Sequence, residues 1–417
     1  MNAHIITIGD EILTGQTLNT NAGFVGEKLS DIQINIRKAS IVGDNEGDIL
    51  NEFNAAWKNA DLVIATGGLG PTHDDITRQC VVKFFDTELE MNEDVLDDIK
   101  TLFQKSGRQV TKVNENQALI PKIAKVIRNS LGTAPGMWIE EDNKIFIALP
   151  GVPFEMIAMM KNYVTPNLEV KLQRNTVIKR SILQTTGIFE SALYEKLGDI
   201  DDLLKGSKLA FLPTSQGVRL RITVEEESEE AAKNKLSEID QKIKSKAGRF
   251  IYAANDSTLE EVVGRLLKER GLKIALAESC TGGYISHLLT NIPGSSNYLE
   301  RGIVSYSNAA KVEILRVNED TIAEYGAVSL EVARQMAEGA KSTSGADIGL
   351  STTGILGPTG ATAGKPIGLV YIGFCDETVC TAKKFSFGED RLTNKQRAAQ
   401  AALEMVRRSL LGIPYDD

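Results

Sequence analysis

At 417 residues, 42% hydrophobic and 25% charged, the chain has the composition of a soluble globular protein and the length of two or three domains, each able to bury its own core. A net charge of −9 removes any general attraction to nucleic acid or to an anionic membrane, so a phosphate site has to be built locally from loops. The cysteines Cys80, Cys280, Cys375 and Cys380 form no CxxC pair, which speaks against a disulfide framework or a structural zinc and leads us to expect reduced thiols.

The first residues read as a strand running into a glycine motif, not as a charged leader, and no apolar run approaches the ~18 residues of a membrane span. A cytoplasmic location away from membranes is expected. The pattern then predicts a strand over 4–8, a helix over 19–32, a strand over 34–42, a helix over 48–58 and a strand over 61–65. Such alternation specifies a parallel sheet with helices on both faces, whose ligands bind beyond the C-terminal strand ends.

Three loops fall at those ends: Gly9-Asp10-Glu11 through Gly15, Gly67-Gly68-Leu69-Gly70-Pro71-Thr72-His73-Asp74-Asp75, and Leu149-Pro150-Gly151. Glycine lets backbone N–H groups approach an anion closely, while the carboxylates would repel a diphosphate unless a divalent cation stands between. Asp10, Glu11, Asp44, Asp74 and Asp75 are the candidates for that work, and each could equally cap a helix. His73 reads as a metal ligand, a phosphate contact or a surface residue.

Residues 176–252 change character. Segments 180–184 and 218–224 alternate as half-exposed strands, and 229–246 forms a polar amphipathic helix, together a small α+β module. It contains no GxxG, and Glu225-Glu226-Glu227 with Glu229-Glu230 would repel a phosphate backbone, so a spacer or dimer-forming role is expected in preference to RNA binding.

Farther on, a helix is predicted over 258–270, a buried strand over 273–277, helices over 281–289, 328–342 and 390–411, and strands over 348–353, 367–374 and 379–387. Between strand and helix, Glu278-Ser279-Cys280-Thr281-Gly282-Gly283 puts a serine on a glycine turn, and Tyr306 and Lys311 follow on the next apolar segment. A desolvated lysine can take a serine proton where no histidine is suitably placed, and His287, on the next helix, is the nearest one in sequence. N–H groups of Thr281, Gly282 and Gly283 could hold an oxyanion or a phosphate. Cys280 is a rival nucleophile. On spacing alone, a capping serine, a core tyrosine and a solvated lysine fit as well.

The Ser279 and Tyr306-to-Lys311 segments, with Gly326-Ala327-Val328-Ser329, Gly345-Ala346-Asp347-Ile348-Gly349 and Lys365-Pro366-Ile367-Gly368, resemble the nicotinamide-nucleotide amidohydrolase domain of the CinA (competence/damage-inducible protein A) family. The resemblance implies hydrolysis of nicotinamide mononucleotide to nicotinate mononucleotide and ammonia, without a cofactor. Ser279, Tyr306 and Lys311 fall on the catalytic positions, with Glu278, Thr281, Gly282, Gly283, Gly354, Gly357 and Arg391 near the substrate. The chain departs from the family at Gly354-Ile355-Leu356-Gly357-Pro358-Thr359-Gly360, where relatives carry more glycine.

The N-terminal loops resemble the molybdopterin-binding-like domain of the same family, some of whose members are ADP-ribose pyrophosphatases dependent on a divalent cation such as magnesium, manganese or cobalt. The resemblance places the nucleotide on Gly9, Asp10, Glu11, Gly67, Gly68, Gly70, Pro71, Thr72, Pro150 and Gly151, and the metal on Asp44, Asp74 and Asp75. It further implies a KH-like middle module and a homodimer. The expected architecture is thus α/β: a doubly wound molybdopterin-binding-like sheet over 1–172, a KH-like α+β module over 173–253 and an α/β amidohydrolase domain over 254–417. Small nucleotides, with neither nucleic acid nor membrane, are the expected partners. A pterin- or nucleotide-binding regulator and a nucleic-acid accessory protein are the alternatives.

Overall fold

The computed structural model describes residues 1–105, 107–172 and 176–415, so the expected boundary at 172/173 borders residues outside the described set. The chain divides into two compact units, Met1–Asn175 and Thr176–Asp417.

The first unit is a six-stranded sheet in the order Asn35–Val42, Asn2–Ile8, Leu62–Thr66, Lys144–Leu149, Gly136–Glu141, Lys125–Ile127. Its first four strands are parallel. The central ones are apolar throughout because both faces are covered: Ile5, Ile64 and Ile147 enter one core, Ile6, Val63 and Phe146 the other. Each such side chain, fully buried, contributes about 1.5–3 kcal/mol. Asn19 caps the helix Thr20–Asp31 by accepting from the Ala22 N–H, close to where the sequence starts it.

The all-parallel expectation fails at the far edge. Gly136–Glu141 pairs antiparallel with both neighbours, because Asp142 and Asn143 adopt φ of 50° and 59° and close a two-residue hairpin between it and Lys144–Leu149.

The second unit opens with the middle module, an antiparallel sheet ordered Lys208–Pro213, Val218–Glu226, Val177–Thr185, Ile251–Ala253. Leu220, Ile222 and Val224 alternate inward and pack with Ile239 and Ile243 of the helix Glu229–Ala247 and with Leu193 and Leu197 of the helix Glu190–Leu197. The patterning missed the strand Lys208–Pro213 and the helix Glu190–Leu197, both of them short.

The C-terminal sheet runs Leu299–Val304, Ile274–Glu278, Ile348–Gly354, Leu369–Cys375, Cys380–Ser386, parallel across the first three strands and antiparallel beyond. The helix Leu330–Ser344 lies so close to it that a Cβ on Gly349 would stand 1.9 Å from the Ala337 carbonyl oxygen. On the opposite face Leu276, Leu350 and Ile372 meet Ala398, Ala402 and Leu403 of the helix Arg391–Leu411. That helix also docks the middle module. Arg407 Nη2 donates to the Arg249 carbonyl at 2.8 Å and Gln400 Nε2 to Thr186 Oγ1 at 3.3 Å.

The cysteine expectation needs correcting. Cys375 and Cys380 stand directly opposite each other in the terminal hairpin and are joined as a disulfide, a pairing created by strand register and invisible to a search for CxxC. Cys80 and Cys280 are free and buried. Among the described residues, no helix is long and apolar enough to cross a membrane.

Candidate active sites

The Ile274–Glu278 strand ends in a turn that presents Ser279, whose N–H donates to the Thr352 carbonyl at 2.9 Å. The following helix begins at Tyr284, three residues later than the pattern predicts, because Gly282 and Gly283 take φ of 59° and 91°. The Leu299–Val304 strand leads to the helix Asn308–Leu315, capped by Ser307, and from its first turn Lys311 reaches back into the domain.

Lys311 is 1% exposed. Its Nζ lies 3.0 Å from Ser279 Oγ, 2.8 Å from the Ser305 carbonyl oxygen and 3.2 Å from that of Tyr306. Burial holds its pKa below the ordinary lysine range, with Cys280 acting in the opposite direction. A neutral amine has two N–H groups and one lone pair. The two carbonyls take the N–H groups, leaving the lone pair for the serine proton.

Other expected residues have different occupations. The Glu278 carboxylate accepts from the N–H groups of Ile285 (3.1 Å) and Ser286 (2.8 Å) and from Ser286 Oγ (2.7 Å), so it caps a helix and does not face a ligand. Thr281 is fully buried, its hydroxyl 2.7 Å from that of Thr352. The Gly282 N–H is spent on the Ser279 carbonyl at 3.2 Å, whereas those of Thr281 and Gly283 have no partner among the described residues. Tyr306 is 65% exposed, and what it brings to Lys311 is its carbonyl, not its hydroxyl. Cys280 is buried with its thiol pushed up to about 12 by desolvation, which suits a packing residue.

Arg391 donates from Nη1 to the Gly357 carbonyl at 2.7 Å, and Asn394 Nδ2 to the Leu356 carbonyl at 2.9 Å. The start of the C-terminal helix thereby holds the Gly354-to-Gly360 loop. Sequence reasoning missed Lys395, whose ammonium lies 3.8 Å from where a Gly282 Cβ would be. Its spacing from Arg391, four residues along one helix face, was the available signal.

In the N-terminal unit a cavity of about 580 Å³ opens at the strand ends, lined by Gly9, Glu11, Gly67, Gly68, Gly70, Pro71, Pro150 and Gly151 and by the carboxylates Asp44, Asp74 and Asp75. Gly67 has φ 110°, and a Cβ there would stand 2.0 Å from the Ile8 carbonyl oxygen, so only glycine fits. Asp10 and Thr72 are not in the lining. Asp10 exchanges hydrogen bonds with Asp44, each N–H donating to the other's carboxylate at 3.0 and 3.1 Å. Thr72 is occupied by Asp75, which accepts its N–H at 2.9 Å and its hydroxyl. Burial, Asp10, Glu11 and Asp74 raise the Asp44 pKa. Among the described residues no group of three or more His, Cys, Asp or Glu side chains is placed to hold a metal ion. His73 projects outward, its side chain 99% exposed.

The chain thus consists of a glycine-loop α/β domain, an antiparallel module and an α/β domain with a buried serine–lysine pair. Residues 4–170 match the family described as probable molybdopterin binding domain, 180–253 the CinA KH domain and 256–410 the CinA C-terminal domain. The CinA-like protein of Chloroherpeton thalassium is 44% identical over 419 aligned residues, covering 98% of this chain and 99% of its own. That of Kosmotoga olearia is 43% identical over 411, covering 99% of each. Among solved structures, the CinA protein of Thermoplasma acidophilum is 40% identical over 40% of this chain and 96% of its own, with a TM-score of 0.37. The chain belongs to the CinA, or competence/damage-inducible protein, family.

Proposed function

We propose that the C-terminal domain hydrolyses the carboxamide of nicotinamide mononucleotide to nicotinate mononucleotide and ammonia. The observation that carries this reading is the 3.0 Å contact between the buried Lys311 amine and Ser279 Oγ. Ser279 attacks the carboxamide carbon while Lys311 takes its proton. Lys311 then returns that proton to the departing nitrogen, ammonia leaves, and water cleaves the acyl-enzyme by the same route in reverse. The free N–H groups of Thr281 and Gly283 are the candidate oxyanion donors, each such donor being worth about 100- to 1,000-fold in rate. Lys395 and Arg391 supply positive charge for a phosphate.

For the N-terminal domain we propose cation-dependent hydrolysis of a nucleoside diphosphate sugar such as ADP-ribose. Glu11, Asp44 and Asp74 line the same cavity, and Glu11 and Asp74 both raise the Asp44 pKa, which supports it. These residues do not by themselves form a metal set, so they would hold a divalent cation only together with substrate and water, and the ion when bound would neutralise diphosphate charge. Asp75, engaged by Thr72, holds the loop instead.

The decisive experiment is ammonia release from nicotinamide mononucleotide by the full chain in excess chelator. Turnover that disappears in both Ser279→Ala and Lys311→Ala is the expected result. A folded wild-type protein with no turnover overturns the amidohydrolase reading.

A further inference from the structure

Gln117 sits on the short turn Asn116–Ala118 and lines the N-terminal cavity with only 1% of its surface exposed. Neither Nε2 nor Oε1 has a hydrogen-bond partner among the described residues. The turn itself is held firmly. Arg78 Nη1 donates to the carbonyls of Asn116 at 2.7 Å and Leu119 at 3.4 Å, and the Asn92 N–H donates to that of Ala118 at 2.8 Å.

A primary amide offers two N–H donors and two acceptor lone pairs, and leaving both ends unpaired away from water is costly. Folded proteins rarely leave both ends in that state without a use for them. The glycine loops and carboxylates in the same lining answer to phosphate and cation, but a phosphate would pair only with the amide NH2 and a cation only with its oxygen, so neither satisfies both ends. Leu69, Ala134 and Pro153 add apolar surface for the face of a ring.

Building on the reading of this cavity as a nucleotide site, we infer that Gln117 is its base-reading residue. Its amide grips the edge of a nitrogen heterocycle that presents a donor beside an acceptor, as adenine does with its exocyclic amine next to a ring nitrogen. A pterin ring offers the same edge. Arg78 is then a positioning residue, fixing the turn from behind.

The test is calorimetric titration of the full-length protein and its Gln117→Leu variant with AMP, ribose 5-phosphate and 6-hydroxymethylpterin, alongside thermal melting without ligand. Gln117→Leu is expected to weaken the ring-bearing ligand by about 10- to 100-fold, while ribose 5-phosphate stays within about twofold. The unliganded variant melts no lower than wild type, since an unpaired buried amide has been removed. Gln117→Glu, which keeps the shape and the acceptor but loses the donor, shows the same selective weakening. Whichever of AMP and the pterin binds the wild type identifies the ring. Equal weakening of AMP and ribose 5-phosphate, an unchanged preference between them, or a lower melting temperature overturns the assignment of Gln117 and leaves the nucleotide reading standing. Failure of the wild type to bind any of the three overturns both.

Discussion

The Lys311 amine and the Ser279 hydroxyl, 32 residues apart in sequence, meet at 3.0 Å inside the C-terminal domain, with the lysine's other hydrogen-bonding capacity absorbed by the carbonyls of Ser305 and Tyr306. Such an amine is useful only when neutral. Burial lowers its pKa from the ordinary 10.5, so the base form accumulates at a lower pH than for a solvent-exposed lysine. The kcat/KM for ammonia release should therefore rise with pH to a plateau, with a single inflection below 10.5. A flat profile, or an inflection at the ordinary lysine value, would remove Lys311 from the role of base.

The same shift has a consequence for stability. Between the folded pKa and the unfolded value of 10.5 the unfolded chain binds the additional proton, so stability rises with pH across that window. Lys311→Met abolishes this dependence. Urea unfolding of wild type and variant at a series of pH values should show the variant gaining on wild type as pH falls through the window. A difference independent of pH would mean that Lys311 is not shifted.

Glu278 carries a different burden. Its buried carboxylate accepts three hydrogen bonds from Ile285 and Ser286 and so fixes the start of the helix behind the nucleophile turn. Glu278→Gln would aim an NH2 group at N–H donors and cost about 2–3 kcal/mol. The melting temperature should fall and kcat with it, with KM less affected. Unchanged stability with a raised KM would return Glu278 to direct substrate binding.

How much of this was legible in the sequence depends on how local each feature is. The caps Asn19, Thr258, Ser329 and Asp390 fall at or next to the predicted helix starts, because a capping side chain and its N–H donors are sequence neighbours. The antiparallel strand Gly136–Glu141 was missed, because nothing short of recognising Asp142-Asn143 as a hairpin turn tells it from another buried strand. Glu278 reads identically whether it faces a ligand or the next helix. Ser279, Tyr306 and Lys311 stood out from the glycine turn and the segment after it, and family likeness decided between a catalytic and a structural reading, but that Tyr306 contributes a carbonyl and Cys375 a disulfide follows only from register and rotamer.

A buried cluster joins Gln400 and Thr186 in holding the middle module to the C-terminal domain. Glu404 receives Arg407 through Nε at 2.7 Å and Nη2 at 2.8 Å, and Arg408 through Nε at 2.7 Å, all three side chains being buried. Arg407 continues to the Arg249 carbonyl and the Arg408 guanidinium lies over Phe250, 5.6 Å from its centroid. Removing the only carboxylate among them leaves two guanidinium groups uncompensated, so Glu404→Gln should cost about 3–5 kcal/mol. Denaturant unfolding of the full chain would read this as an earlier transition of the Thr176–Asp417 unit. An effect under about 1 kcal/mol would show that water reaches the cluster.

Gly67 offers the converse test, confined to the N-terminal unit. Its φ of 110° and the Ile8 carbonyl oxygen 2.0 Å from any added Cβ leave no space for a side chain, and the obstructing atom belongs to a central strand. Gly67→Ala must therefore displace the loop that walls the cavity, at a cost of about 1–3 kcal/mol. Binding of AMP should be lost and the unfolding of Met1–Asn175 should move to lower denaturant. The proposed ammonia release is assigned to Ser279 and Lys311, more than two hundred residues along the chain in the other unit, and should remain within about twofold of wild type. Parallel loss of AMP binding and ammonia release would show that the two sites are coupled and that the chain does not carry two separable reactions.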